Sequence, residues 1–173
     1  MKSAIAAASA VLSLFSASPA TAALAVGDPA PDFSARGAQG NTIMTIVLSE
    51  LLKQGPVVLY FIPSAFTGSA AESHEFADNI DKFRAAGASV IGMSRDSVDT
   101  LARFSAEECA SKFPMASATE SIVNGFDVND GAMFNTRTTY VIAPSGKIAF
   151  VHDEDDDDGH VKRALAFVQG MKK

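Results

Sequence analysis

Cysteine is almost missing from the chain, since Cys109 is the only one among 173 residues. A single cysteine excludes an internal disulfide, so the stability of the fold must come from packing. The Cys109 thiol can be buried and unreactive, a redox thiol, or a link between two chains. The neighbouring acids Glu107 and Glu108 would raise its pKa, which favours the unreactive interpretation when Cys109 is considered alone.

Positive charge is scarce as well. Fourteen Lys and Arg residues stand against 20 Asp and Glu residues, which gives a net charge of −6. Without a basic stripe or an aromatic stacking motif, such a chain is a poor partner for nucleic acid or for an anionic membrane surface. After residue 26, no apolar run is long enough to span a bilayer. The sequence also lacks a phosphate-binding loop, a dinucleotide-binding glycine motif and a Ser-His-Asp signature.

The first part of the chain has the three features of a secretory signal peptide. Lys2 supplies a positive start, residues 3–15 form an apolar run, and residues 20–22 have the small-x-small form of a cleavage site. The alternative, a buried N-terminal helix, does not explain why these features coincide. We therefore predict a signal peptide over residues 1–22, a single domain over residues 23–173, and export to the periplasm or out of the cell.

Hydrophobic periodicity predicts an alternation of strands and helices. Strands are expected over residues 57–62, 89–94, 138–143 and 148–152, and helices over residues 72–86, 97–112 and 160–171. A turn is expected over residues 37–40, a strand passing into a helical turn over 42–53, and one helical turn over 120–125. Strand-helix-strand-helix followed by a hairpin and a closing helix is typical of a thioredoxin-like α/β fold, with a central mixed β-sheet flanked by helices.

The strand and loop over residues 57–67 resemble the active-site segment of the peroxiredoxins, especially the bacterioferritin-comigratory type. That family places the motif Pro-x-x-x-Thr-x-x-Cys here. Pro63 and Thr67 match the first two positions of the motif, whereas the cysteine position falls on Ala70. Other segments match the family in order and spacing, namely residues 25–33, 72–76, 90–96 and 137–148.

The resemblance implies a thiol peroxidase. A peroxidatic cysteine attacks as the thiolate, and a helix N-terminus and a nearby arginine lower its pKa. Arg137 matches that arginine, Thr67 would offer its hydroxyl to the thiolate and substrate, and Pro63 would shield the pocket. The implied substrates are hydrogen peroxide or organic hydroperoxides, with thioredoxin or another thiol as reductant. The family chemistry needs no metal and no organic cofactor, and a homodimer is compatible with it.

The departure from the family lies in the active-site loop, because no cysteine stands between Pro63 and His74. The helix motif also begins one position early, and one residue placed between Ser69 and Ala70 repairs both faults. Our hypothesis is that one residue is missing there: a true deletion, or an oxidised cysteine or selenocysteine that the written sequence omits. A true deletion would leave a catalytically inactive peroxiredoxin-like binding or scaffold protein. In a third interpretation, Cys109 alone is the resolving or redox thiol.

The acidic run over residues 152–160 invites comparison with a calcium-binding loop. With Gly159 at the sixth place of such a loop, Leu165 would occupy the twelfth, and it cannot supply a bidentate carboxylate. The two histidines of the run are also unrelated in helical spacing. We therefore expect no metal site, and we interpret the run as a solvated loop in which Asp157 or Asp158 caps the final helix.

Overall fold

The computed structural model describes residues 23–68, 70–131, 133–153 and 159–171. The predicted signal peptide and the acidic residues 154–158 therefore lie outside the described residues. The strands are β1 (Ser34–Gln39), β2 (Thr42–Val47), β3 (Val57–Phe61), β4 (Ser89–Ser94), β5 (Met115–Ser117), β6 (Thr138–Ile142) and β7 (Ile148–His152). The helices are α1 (Leu48–Leu52), α2 (Ala70–Ala85), α3 (Val98–Glu107), α4 (Glu120–Gly125) and α5 (Gly159–Met171).

The described strands form one mixed sheet in the order β2-β1-β5-β4-β3-β6-β7. The pairs β3–β4 and β4–β5 are parallel, and the other neighbours are antiparallel. Helices α2 and α3 supply the two crossovers that parallel pairing requires. The predicted mixed sheet flanked by helices is thereby confirmed, and the end of its central strand β3 leads directly into the candidate site.

The two faces of the sheet bury different sets of helices. Side chains alternate along a strand, so Leu59 and Phe61 of β3 face one side while Val58 and Tyr60 face the other. The side of Leu59 packs under α1 and α4 and is called here the α1–α4 face. The side of Tyr60 packs under α2, α3 and α5 and is called the α2–α5 face. Because both faces are covered, every residue of β3 is buried, as its continuous apolar run predicts.

The prediction of a turn over residues 37–40 is wrong for residues 37–39, which belong to β1. Gly37 lies within β1 and pairs with Ala116 of β5. A Cβ atom on Gly37 would stand 2.6 Å from the carbonyl oxygen of Met115, so glycine is needed there for close strand packing. The turn itself begins at Gly40, whose φ of +52° is a conformation that glycine adopts readily.

Two predicted helix boundaries are also corrected. Helix α2 begins at Ala70 rather than at residue 72, because alanine is a strong helix former and extends the first turn. Helix α3 ends at Glu107 rather than near residue 112, because Ala110 and Ser111 have φ values of +49° and +56° that a right-handed helix cannot contain. Cys109 therefore lies in the turn after α3, not on the helix. Among the described residues, no helix has the length and apolar composition to cross a membrane.

Candidate active site

The loop from β3 to α2 is tightly turned. Phe66 has a φ of +62° and Gly68 a φ of +72°, both in the left-handed region. Glycine adopts this conformation freely, whereas a phenylalanine there is strained by about 1–2 kcal/mol. The Phe66 ring packs edge-on against Phe104 at 5.1 Å between ring centroids, and the Arg103 guanidinium lies 5.3 Å from the Phe66 centroid. Such strain persists only where the surrounding structure imposes it, here through the packing of the Phe66 ring.

A single carboxylate anchors the first half of this loop. Oδ2 of Asp96 accepts hydrogen bonds from the Ala65 amide at 2.7 Å, the Ser64 hydroxyl at 3.1 Å and the Ser94 hydroxyl at 2.7 Å. Asp96 does not cap α3, because the N-cap is the next residue, Ser97, whose hydroxyl accepts from a backbone amide in the first turn of α3. Asp96 thus fixes the loop against the end of β4.

The residues that match the family motif lie on this loop. The Thr67 side chain is exposed, and its hydroxyl donates to the Ser64 carbonyl oxygen at 3.0 Å. Pro63 is half-buried directly after β3. Ser69 lies outside the described residues, and Ala70 is the first residue of α2. The described hydrogen bond of Thr67 stays within the loop, so its contact with a nucleophile or substrate remains a prediction.

Arg137 reaches the first turn of α2. Its side chain is only 17% exposed, and its Nε lies 3.7 Å from Oε2 of Glu72, whose side chain is 3% exposed. The N-terminus of a helix carries a partial positive charge, to which the guanidinium adds a full one. An anion formed at the start of α2 would be stabilised by both. Arg137 therefore lies beside the start of α2, and its stabilisation of a thiolate there remains a prediction.

Sequence reasoning missed a set of buried polar residues beside Arg137. The Nδ1 atom of His160 lies 2.9 Å from the Thr139 hydroxyl and 3.8 Å from Oε1 of Glu72. The rings of His152 and His160 meet edge-on at 4.5 Å between centroids. The helical spacing test separated these two histidines because His152 ends a strand while His160 opens a helix. The two histidines lie at the two ends of the short connection between β7 and α5. That position in the sequence could have indicated that their side chains are close.

These histidines do not form a metal centre with their neighbours. Within the part of the chain that the structure describes, no three His, Cys, Asp or Glu side chains are grouped as metal ligands would be. The arrangement of Glu72, His152 and His160 is therefore interpreted as a hydrogen-bonding and charge network rather than a ligand set.

The only thiol of the written sequence lies in the core under α2. Cys109 is fully buried, and desolvation, followed by the charge of Glu108, raises the pKa of its thiol to about 12, although hydrogen bonds to Tyr60 and Ser73 oppose the rise. His74 holds the first turn of α2 against the same segment, with Nε2 2.6 Å from a Glu108 carboxylate oxygen. A protonated, buried thiol is a poor nucleophile, so this geometry argues against Cys109 as the redox thiol.

Comparison with known proteins decides the family. The model of the AhpC/TSA family matches residues 26–151, which include the β3–α2 loop, Cys109 and Arg137. The chain belongs to the AhpC/TSA family, the peroxiredoxins. The family prediction made from the loop motif is thus confirmed, including its bacterioferritin-comigratory character.

Similar peroxiredoxins agree in sequence and in fold. Peroxidoxin BcpB from Mycobacterium tuberculosis is 33% identical, with a TM-score of 0.75 over 86% of this chain and 98% of that one. Peroxiredoxin Bcp from Escherichia coli is 28% identical over 145 residues, which are 79% of this chain and 90% of that protein. The bacterioferritin comigratory protein of Xanthomonas campestris is 26% identical, with a TM-score of 0.72 over 82% and 92% of the two chains.

Proposed function

We propose that this peroxiredoxin reduces hydrogen peroxide or organic hydroperoxides with a cysteine or selenocysteine located between Ser69 and Ala70, which the written sequence omits. The observation that carries the proposal is the position of Arg137, whose Nε lies 3.7 Å from Glu72 in the first turn of α2. A partly buried arginine beside a helix start can stabilise an anion that forms there during the reaction.

The chemistry follows from the charges at that helix start. The thiolate or selenolate attacks one peroxide oxygen, an S–O or Se–O bond forms, and the O–O bond breaks. The departing oxygen takes up a proton and leaves as water or an alcohol. Arg137 and the N-terminus of α2 stabilise the attacking anion and the charge that develops on the departing oxygen. Two reductant thiols then return the sulfenic or selenenic acid to the starting form, with release of water and a disulfide.

Organic hydroperoxides are included because of a relative. The X. campestris protein is described by its alkyl peroxide reduction activity, and it shares 26% identity with this chain.

We further propose that the protein acts after export, as the signal-peptide pattern of residues 1–22 supports. The reductant is a small or protein thiol of the thioredoxin type, and the protein works as a monomer or a homodimer.

A second candidate function is a peroxiredoxin-like scaffold without peroxidase activity. The strained φ of Phe66 and the inward bond of Thr67 to Ser64 describe a loop that closes on itself without a nucleophile. If the residue is truly deleted, the buried network around Arg137 would serve only to shape a binding surface.

Peroxide consumption by matched chains tests the proposal. The purified exported protein and a chain with a cysteine inserted between Ser69 and Ala70 are compared with dithiothreitol as reductant. The control is the chain made strictly to the written sequence, in which Cys109 is the only thiol. We expect turnover with the first two chains and none with the control. A folded insertion variant that consumes no peroxide would contradict the peroxidase proposal.

A further inference from the structure

We propose that His160, supported by His152 and Thr139, is a positioning residue that orients the Glu72 carboxylate and thereby fixes Arg137 for the reaction. The inference rests on the proposed peroxidase function, since Arg137 is placed there as the thiolate-stabilising group. It assigns a role to a buried histidine pair that neither the loop motif nor the peroxide chemistry uses.

Four separate elements deliver these side chains to one place. Thr139 of β6 and His152 of β7 are directly opposite partners in the antiparallel register, so they project from the same face of the sheet. Thr139 also pairs with Tyr60, which places it on the α2–α5 face. His160 lies in the first turn of α5 and Glu72 in the first turn of α2, so both helix starts meet over this strand pair.

Burying these polar side chains costs hydration free energy. Glu72 and His152 are each 4% exposed, and His160 and Thr139 are fully buried. A buried ionisable side chain loses several kcal/mol of hydration unless partners replace it, and well-packed apolar residues would serve stability at least as well. Farther along the same face, large apolar side chains such as Phe83 and Phe104 cover the sheet. The polar group is thus confined to the end of the face that adjoins Arg137.

The two oxygens of the Glu72 carboxylate lie beside different partners. Oε1 of Glu72 lies 3.8 Å from His160 Nδ1, and Oε2 lies 3.7 Å from Arg137 Nε. His160 is itself held by the Thr139 hydroxyl at 2.9 Å, so in this proposal its ring stands beside Oε1 and favours the carboxylate rotation in which Oε2 faces Arg137. Without His160 the carboxylate could turn both oxygens toward the guanidinium. Arg137 would then be drawn toward Glu72 and away from the anion at the start of α2.

The reactivity of a thiol at the start of α2 reports on this positioning. The parent chain carries the cysteine inserted between Ser69 and Ala70 together with Cys109→Ser, so one thiol remains. Its alkylation rate by iodoacetamide is measured from pH 5 to pH 10. We expect His160→Leu to slow alkylation at pH 7 about tenfold and to move the midpoint to higher pH. His160→Gln, which keeps a polar group near Thr139, is expected to recover most of the rate.

A structural lesion on the same helix provides the matched control. Val168 of α5 is fully buried and has no polar role, so Val168→Ala loosens the helix without touching Glu72. Its alkylation profile should match the parent profile. The proposal is overturned if His160→Leu alkylates like the parent, or if Val168→Ala slows alkylation as much as His160→Leu does.

A second measurement keeps the test decisive should His160→Leu fail to fold. The chain has three histidines, so their ring resonances can be followed by NMR against pH. Glu72→Gln removes the negative charge beside His160, so the midpoint of the His160 titration should move to lower pH. An unmoved His160 would contradict the inference. Rapid alkylation without peroxide turnover would instead contradict the proposed function and leave the role of His160 intact.

Discussion

The two faces of the sheet are built on different principles. On the α1–α4 face, Phe126 is surrounded by aromatic rings, with centroids 5.5 Å from Phe61 and 5.7 Å from Tyr140. The Tyr140 hydroxyl donates to the Phe126 carbonyl oxygen at 2.7 Å and accepts from the Leu24 amide at 3.0 Å, so even its polar atom is satisfied locally. On the α2–α5 face, one end holds ionisable side chains that are buried as deeply as the rings.

Apolar burial and buried ionisable groups contribute differently to stability. Apolar burial stabilises the fold by roughly 25 cal/mol per Å² of apolar surface, whereas a buried ion pair seldom does better than an apolar replacement. Both faces bury apolar cores that stabilise the sheet, whereas the ionisable side chains at one end of the α2–α5 face add little to that stability. On the proposed function, this polar end, around Glu72 and Arg137, serves the chemistry at the start of α2. Four predictions test this division, beginning with the largest expected effect.

Removal of a ring from the α1–α4 face should cost the most stability. Phe126→Ala leaves a cavity among fully buried aromatic side chains and should lower the free energy of unfolding by about 3–5 kcal/mol, measured by urea denaturation. Phe134, which is 46% exposed, provides the matched control, and Phe134→Ala should change stability by less than about 1 kcal/mol. Equal losses for the two variants would show that the aromatic cluster carries no special share of stability.

Removal of the guanidinium on the other face should affect activity instead. Arg137→Lys keeps the charge but loses the planar donor group, and kcat/KM for hydrogen peroxide should fall about 100-fold in a chain that carries the loop cysteine. Its free energy of unfolding should change by less than about 1 kcal/mol, because the side chain is only partly buried. Arg36→Lys, at an exposed position of β1, is the control. An Arg137→Lys chain that retains full kcat/KM would remove Arg137 from the mechanism.

The strands and helices that were predicted correctly are those whose boundaries are marked by their own residues. The strand over Ser89–Ser94 and the helix over Glu120–Gly125 were predicted with the bounds that the structure has, since apolar runs and turn residues mark both. Strand β1 was missed because its residues show no apolar alternation and depend on pairing with β2 and β5. Only tertiary structure could bring together His160 and Glu72, which are far apart in the chain.

Alkaline pH should weaken the α2–α5 face through its buried thiol. The pKa of Cys109 is raised from its ordinary value of 9.0 to about 12, and burial also raises the pKa of Tyr60. The folded chain therefore keeps protons that the unfolded chain releases above pH 9. The contribution of Cys109 to stability should be fully present well below pH 9 and should fall by about 2 kcal/mol between pH 9 and pH 11, with Tyr60 adding to the decline above pH 10.

Urea denaturation across this pH range gives the measurement for the thiol. Cys109→Ser should make the alkaline decline shallower, because one of the buried acidic groups is gone. An equally steep decline in the serine variant would show that the thiol does not contribute to it.

The smallest effect is expected where a polar group of the α2–α5 face is replaced by an apolar one. His152 is 4% exposed, and its ring meets His160 edge-on. His152→Phe keeps an aromatic ring in that place, so the free energy of unfolding should stay within about 1 kcal/mol of the parent value. Urea denaturation of the two chains checks this. A loss as large as that of Phe126→Ala would mean that the polar end of the α2–α5 face contributes to stability as the aromatic cluster does.

The central claim is that a nucleophile stands between Ser69 and Ala70, facing Arg137 at the start of α2. Intact mass spectrometry of the purified exported protein, with fragmentation across residues 66–74, tests it most directly. The account predicts one additional residue at that point: a cysteine, an oxidised cysteine or a selenocysteine. A mass and fragment series that match the written sequence, with Ser69 bonded directly to Ala70, would contradict the account and leave a peroxiredoxin fold without its nucleophile.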